Sequence, residues 1–172
     1  MKTKQLLSFI LIFLSFMTAC DIIGKTQNKE DYVFSKKETV INDRDQLKLF
    51  CDSITEFWTP TKEQIKIVES IIENAIKNNT EVYWEILNVK TAKKYYRQYS
   101  FYKDQKGELI VFINAFCEIY ETPIESSWNS TMKPFDWKYN FMIVLDGGDC
   151  FWSIKINLTK QNYFDFMVNG VA

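Results

Sequence analysis

Four cysteines and no histidine set the chemistry open to this chain of 172 residues. Without imidazole there is no Ser-His-Asp or Cys-His nucleophile pair and no histidine-ligated zinc. Nor does any side chain titrate near neutrality at its ordinary pKa. Carboxylate, lysine, tyrosine and cysteine chemistry remain. Cys51, Cys117 and Cys150 fall on apolar faces of the pattern, which reads as buried thiols, and a nucleophilic cysteine needs a cationic neighbour to become a thiolate. Asp146 and Asp149 flank Gly147 and Gly148. A hairpin uses the same residues for left-handed backbone, and two carboxylates fall short of the roughly six or more oxygens around calcium. The glycine pair also lacks the lysine and following helix of a phosphate loop. Glu118, Glu121 and Glu125 are too scattered for an acid and base pair. No catalytic residue, metal ligand or cofactor is nominated.

Binding leaves more to work with. Lys93 to Tyr99 interleaves positive charge with aromatic rings, the composition of a single-strand nucleic-acid platform, but also of an amphipathic junction between helix and strand. We expect packing there, with an anionic glycan or peptide as the functional alternative, and no nucleic-acid partner. The connection from Glu118 to Lys138, about twenty residues, exceeds ordinary loop lengths. Its Trp128, Phe135 and Trp137 are the candidate binding surface, since exposed aromatics stack on sugars or fill a partner's pocket. A flap covering the core is the competing reading.

The first twenty residues read as an address. Lys2 and Lys4 precede an apolar run from Leu6 to Met17, 12 residues long, against the ~20 that a membrane-spanning helix needs. Met17, Thr18, Ala19 and Cys20 resemble a bacterial lipobox, with Met17 and Thr18 departing from the commonest residues. That resemblance implies removal of residues 1–19 and acylation of Cys20; an ordinary secretory signal would leave Cys20 a plain thiol. At about 0.8 kcal/mol per buried CH2, two or three acyl chains hold a protein on a membrane where one would be marginal. Removing two of the 21 basic residues leaves 19 against 22 acidic ones, a net charge of -3, so the lipid would act without help from anionic headgroups.

These segments need elements to hold them. With 47% apolar and 25% charged residues the chain reads as one globular domain rather than a disordered one. Residues 20–42, polar and aperiodic, read as acylated cysteine and flexible tether; the alternative is that Tyr32 to Phe34 docks on the body as a short strand. The body is then 43–172. Leu47, Phe50, Cys51, Ile54, Phe57 and Trp58 predict a helix over 43–58, for which Asn42 with Asp43 and Asp45 offers an N-cap and a negative first turn. Pro60 opens a second with Ile65, Val68, Ile72, Ala75 and Ile76 inward, and a third, less regular, covers 82–94. The period then changes to two. Tyr99 to Tyr102 turns through Asp104–Gly107 into Leu109–Cys117, apolar on both sides and so central. Strands are expected at Tyr139–Leu145, Trp152–Leu158 and Phe164–Val168. The sum is α+β: two to three N-terminal helices on one face of an antiparallel sheet of about five strands, cystatin-like or NTF2-like in outline. In such a meander Cys117 and Cys150 lie roughly 25 Å apart, too far for a disulfide unless the connection after Glu118 reorders the strands.

The segments YYRQY (Tyr95 to Tyr99), VFINAFC (Val111 to Cys117), DGGDCFW (Asp146 to Trp152) and VNGVA (Val168 to Ala172) resemble small lipoproteins of Bacteroidota-type bacteria. The resemblance implies an envelope lipoprotein and transfers no catalytic residue; the outer rather than the inner membrane is the expected location. Asp52, Ser53 and Ile54 also match an O-glycosylation pattern of such bacteria, which placement of Ser53 within a helix would oppose. The expected protein is a noncatalytic lipoprotein that binds an envelope protein or glycan. An inhibitor or immunity-type protein and, less favoured, a histidine-free envelope enzyme are the alternatives.

Overall fold

A computed structural model describes residues 30–51, 53–79, 84–124 and 131–170. They form an α+β fold around one mixed sheet and one long helix. Strands β1 (Glu38–Val40), β2 (Glu56–Phe57), β3 (Tyr96–Lys103), β4 (Leu109–Phe116), β7 (Phe151–Asn157) and β8 (Asn162–Val168) make the sheet. Its order is β1-β3-β4-β7-β8, with β2 also on β3, and β5 (Glu121–Pro123) and β6 (Met132–Pro134) pair separately. Helix α1 is a single turn, Arg44–Leu47, and α2 runs from Lys62 to Asn79.

The expected central strand is central. Val111, Ile113 and Ala115 of β4 face α2 together with Tyr99, Phe101, Trp152, Ile154 and Ile156, while Ile110 and Phe112 face the opposite layer with Tyr102 and Phe141. The hairpin into β4 turns where expected, with Gly107 at φ +76° and the Asp104 carboxylate accepting from the amides of Lys106 and Glu108. Helix α2 buries Ile65, Val68, Ile72, Ala75 and Ile76 as their spacing requires. It begins two residues later than Pro60, because Thr61 and Gln64 form a reciprocal capping box: Gln64 N donates to Thr61 Oγ1, and Thr61 N to Gln64 Oε1.

Several expectations are corrected. The helix over 43–58 is one turn. Asp43 caps it, but Arg44 reaches forward to the carbonyls of Ile54 and Thr55, and Glu56–Phe57 are taken up by the open edge of β3 opposite Lys103 and Tyr102. A sheet edge with unpaired amides outcompetes a helix there. Ser53 therefore lies in irregular chain, and the helical objection to glycosylation is withdrawn; Asp52 is outside the described residues. The helix over 82–94 is a 3-10 turn at Ala92–Lys94, with 80–83 outside the described residues. The helices do not share one face: Leu47 packs against Phe112, across the sheet from α2.

The tether expected through residue 42 ends sooner. Tyr32 N donates to Pro60 O, Tyr32 and Phe34 pack on the α2 core, and β1 pairs parallel with β3 from Glu38–Arg97 to Val40–Tyr99.

Tyr139–Leu145 is no strand. Tyr139, Ile143 and Leu145 are exposed while Phe141 and Met142 are buried. Two glutamines replace the ladder. Gln98, fully buried on β3, donates to the carbonyls of Trp137 (2.5 Å) and Asn140 (2.7 Å) and accepts from Met142 N (2.9 Å) and Asn114 Nδ2 (2.8 Å). Gln46 donates to Tyr139 O and accepts from Phe141 N.

With no strand from that segment, β4 pairs directly with β7, Phe116 opposite Phe151. Cys117 and Cys150 are therefore neighbours, their Cα atoms 5.0 Å apart, and they form a disulfide. The 25 Å separation rested on the missing strand.

Candidate functional site

A broad concavity lies between the N-terminal segment and α2. Every third or fourth residue of α2 meets it: Lys62, Ile65, Lys66, Glu69, Ser70 and Glu73, facing Tyr32 and Val33 across a volume of about 510 Å3. That periodicity is one face of a helix, and buried Ile65 forms its apolar floor. Tyr32 and Glu69 also line an adjoining pocket of about 280 Å3 with Ser35, Lys37, Glu38, Lys93, Tyr95 and Arg97.

Arg97 holds this inner end. It is 4% exposed, and the sheet's alternation turns it toward α2. Its guanidinium pairs with Glu69, donates to Tyr99 Oη (3.2 Å) and Ala92 O (2.9 Å), and lies over the Trp152 ring at 5.8 Å. Burial opposes the charge, but Tyr99 and Glu69 outweigh it, so the Arg97 pKa is raised. Tyr99 and Tyr32 both donate to the Glu38 carboxylate, at 3.2 and 3.3 Å. The strap of residues 30–37, strand β1, α2 and β3 thus meet in one charged network. Lys93 closes the outer side by pairing with Glu73 at 2.7 Å, which lowers the Glu73 pKa.

Three buried tyrosines give this fold a pH signature. Burial is the main cause that raises the phenols of Tyr95, Tyr99 and Tyr102; the charge of Asp149 adds at Tyr95, Arg97 partly offsets the shift at Tyr99, and a hydrogen bond to Cys51 adds at Tyr102. The unfolded chain releases these protons near 10.0 while the folded chain keeps them. Above that pH the unfolded state binds fewer protons, so stability falls as pH rises, by about 1.4 kcal/mol per unit for each tyrosine. Urea midpoints should hold level from pH 8 to 9.5 and drop steeply by pH 11. A level midpoint at pH 11 contradicts the assignment.

The residues singled out from sequence are dispersed. Trp137, 7% exposed, is a packing residue set against Tyr96 and Phe116; the expected aromatic surface loses it to the core. Phe135 is half-buried in the same cluster, and Trp128, like Glu125, lies outside the described residues. Cys20 also lies outside them. Lys93 to Tyr99 is built into the fold: Tyr95 donates to Asp149 O, Tyr96 stacks on Phe116, and Gln98 and Tyr99 are buried. Asp149 is structural, its carboxylate accepting from the amides of Ile86 and Leu87 at 2.6 Å. Gly147 adopts φ +99°, and a Cβ there would meet the Phe151 ring at 2.7 Å, so only glycine fits. Cys51 is buried and accepts from Tyr102 Oη at 3.1 Å.

A second concavity crosses the opposite face of the sheet. Phe50, Ser153 and Met167 join two hollows of about 160 and 230 Å3, flanked by exposed Leu49, Ile143 and Leu145. Among the described residues, no group of three or more cysteines and acidic residues is placed to hold a metal ion, and no helix is long and apolar enough to cross a membrane.

The α2 cleft escaped sequence reasoning because one of its walls comes from Tyr32 and Val33, which composition assigns to a tether. The signal was present in Lys62, Lys66, Glu69 and Glu73, a charged stripe beside the apolar one. Comparison with protein-family models, curated proteins and solved structures finds no match to the chain.

Proposed function

We propose that the protein is an exported, lipid-anchored, noncatalytic binding module that takes its ligand in the cleft between residues 32–37 and α2. The observation that carries this reading is the cleft itself. Its volume of about 510 Å3 falls in the range of ligand sites, it is lined by apolar floor and charged rim, and Glu69 of its wall is fixed from behind by buried Arg97. The Cys117–Cys150 disulfide supports an oxidising compartment, as an export leader before Cys20 requires. Glu30 lies ten positions after Cys20, at most about 35 Å of chain. An anchored body would therefore hold its cleft close to the bilayer, where an envelope protein or glycan is the partner class at hand.

Both halves of the proposal are testable. Cys20→Ser should abolish labelling by a fatty-acid probe and release the protein from membranes; persistent labelling would defeat the anchor. Ser70→Trp, at an exposed position on the cleft wall, should fill the cleft without disturbing the core. Native mass spectrometry of protein released from membranes should show a bound mass on the wild type that this variant lacks. Equal masses on both, or none on either, contradict the reading.

A further inference from the structure

The chemistry of the cleft selects among ligands, and this step rests on the binding role proposed above. Lys62 and Lys66 stand at one end of the cleft-facing stripe of α2 and Glu69 and Glu73 at the other. Helix stability explains part of that order, since Lys66 stands three residues from both Glu63 and Glu69 and Glu73 four residues before Lys77. Against it, Lys62 with Lys66 and Glu69 with Glu73 place like charges four residues apart, which costs an isolated helix about 0.2 to 0.5 kcal/mol per pair, and Lys62 carries positive charge in the first turn, against the helix dipole. Tertiary partners answer part of it. Glu69 has buried Arg97, whereas Lys62 with Glu30 is a solvent-exposed pair and half-buried Glu73 is held by an exposed Lys93, so both can exchange partners with a ligand's charges, and Lys66 reaches Glu63 only at 4.0 Å.

We infer that the cleft binds a short extended peptide carrying negative charge at one end and positive charge at the other. The negative end would lie against Lys62 and Lys66 and the positive end against Glu73 in place of Lys93, with apolar side chains on Ile65, Tyr32 and Val33. The dimensions agree. Lys62 to Glu73 spans about 16 Å along the helix, the length of about five residues of extended chain.

The test is calorimetric titration of the full chain with acetyl-Glu-Leu-Ala-Leu-Lys-amide, beside the same peptide with glutamine at both ends and with lysine at both ends. The dipolar peptide should bind about three- to tenfold tighter than the neutral one at low salt and lose that advantage at high salt. In Lys66→Glu the preference should move to the peptide with two lysines, and Ser70→Trp should weaken all three. If dipolar and neutral peptides bind alike but Ser70→Trp still weakens them, the charge reading is overturned and the cleft stands. If no peptide binds while Ser70→Trp strips the native ligand mass, the peptide class is overturned and the cleft again stands. If neither effect occurs, both fall.

Discussion

Gln98→Leu should cost about 3 to 5 kcal/mol of stability, more than an ordinary surface or even single-methylene core change. The shapes are close, so the loss comes from hydrogen bonds rather than from a cavity. Gln98 is fully buried, and all its polar valences are used: two donors on Trp137 O and Asn140 O, two acceptances from Met142 N and Asn114 Nδ2. Leucine would leave the buried Met142 amide and two carbonyls without partners, at about 1 to 3 kcal/mol for each fully buried group. The expected signature is local as well as global. Urea unfolding should show the loss in stability, and the Met142 amide should exchange with solvent faster than those of β4. A cost under about 1 kcal/mol would mean that residues 137–142 hold their course without this template.

The second large effect belongs to the disulfide. Replacing Cys117 and Cys150 together by serine should cost about 3 to 4 kcal/mol, because the bridge closes a loop across 33 residues and that closure restricts the unfolded chain. Reduction of the wild type should cost a similar amount. The native contacts at this point survive without the bridge: Cys117 N still donates to the carbonyl of residue 150, and Phe116 still faces Phe151. The double variant should therefore fold to the same structure with a lower urea midpoint. Equal midpoints for oxidised and reduced protein would contradict a structural role for the bridge.

Local patterns whose cause is local were legible in the sequence. The double-sided apolar run of β4, the clean alternation of β7, the Asp104–Gly107 turn and the buried stripe of α2 each follow from period and turn chemistry, and the structure places all four where they were expected. What failed was decided at a distance. Helical spacing over 43–58 was real, and it still buries Leu47 and Cys51, but the unpaired edge of β3 claimed Glu56 and Phe57. The alternation of Tyr139–Leu145 was real too, yet Gln98 and Gln46 satisfied its backbone before any strand could. That single error displaced the disulfide, since an inserted strand would hold Cys117 and Cys150 apart. Binding residues fared worse for a physical reason: aromatic side chains signal burial as readily as recognition, and Trp137 went to the core. The cleft is a meeting of segments about thirty residues apart, which no short window of sequence can show.

Hydrogen exchange on protein taken directly from membranes tests the proposed binding role most directly. Wild type should show protection at residues 32–37 and 62–73 that Ser70→Trp lacks, with the rest of the molecule exchanging alike in both. Protection that is the same in both proteins, or that falls instead along Leu49, Ile143 and Met167 on the opposite face, would contradict a ligand in the α2 cleft.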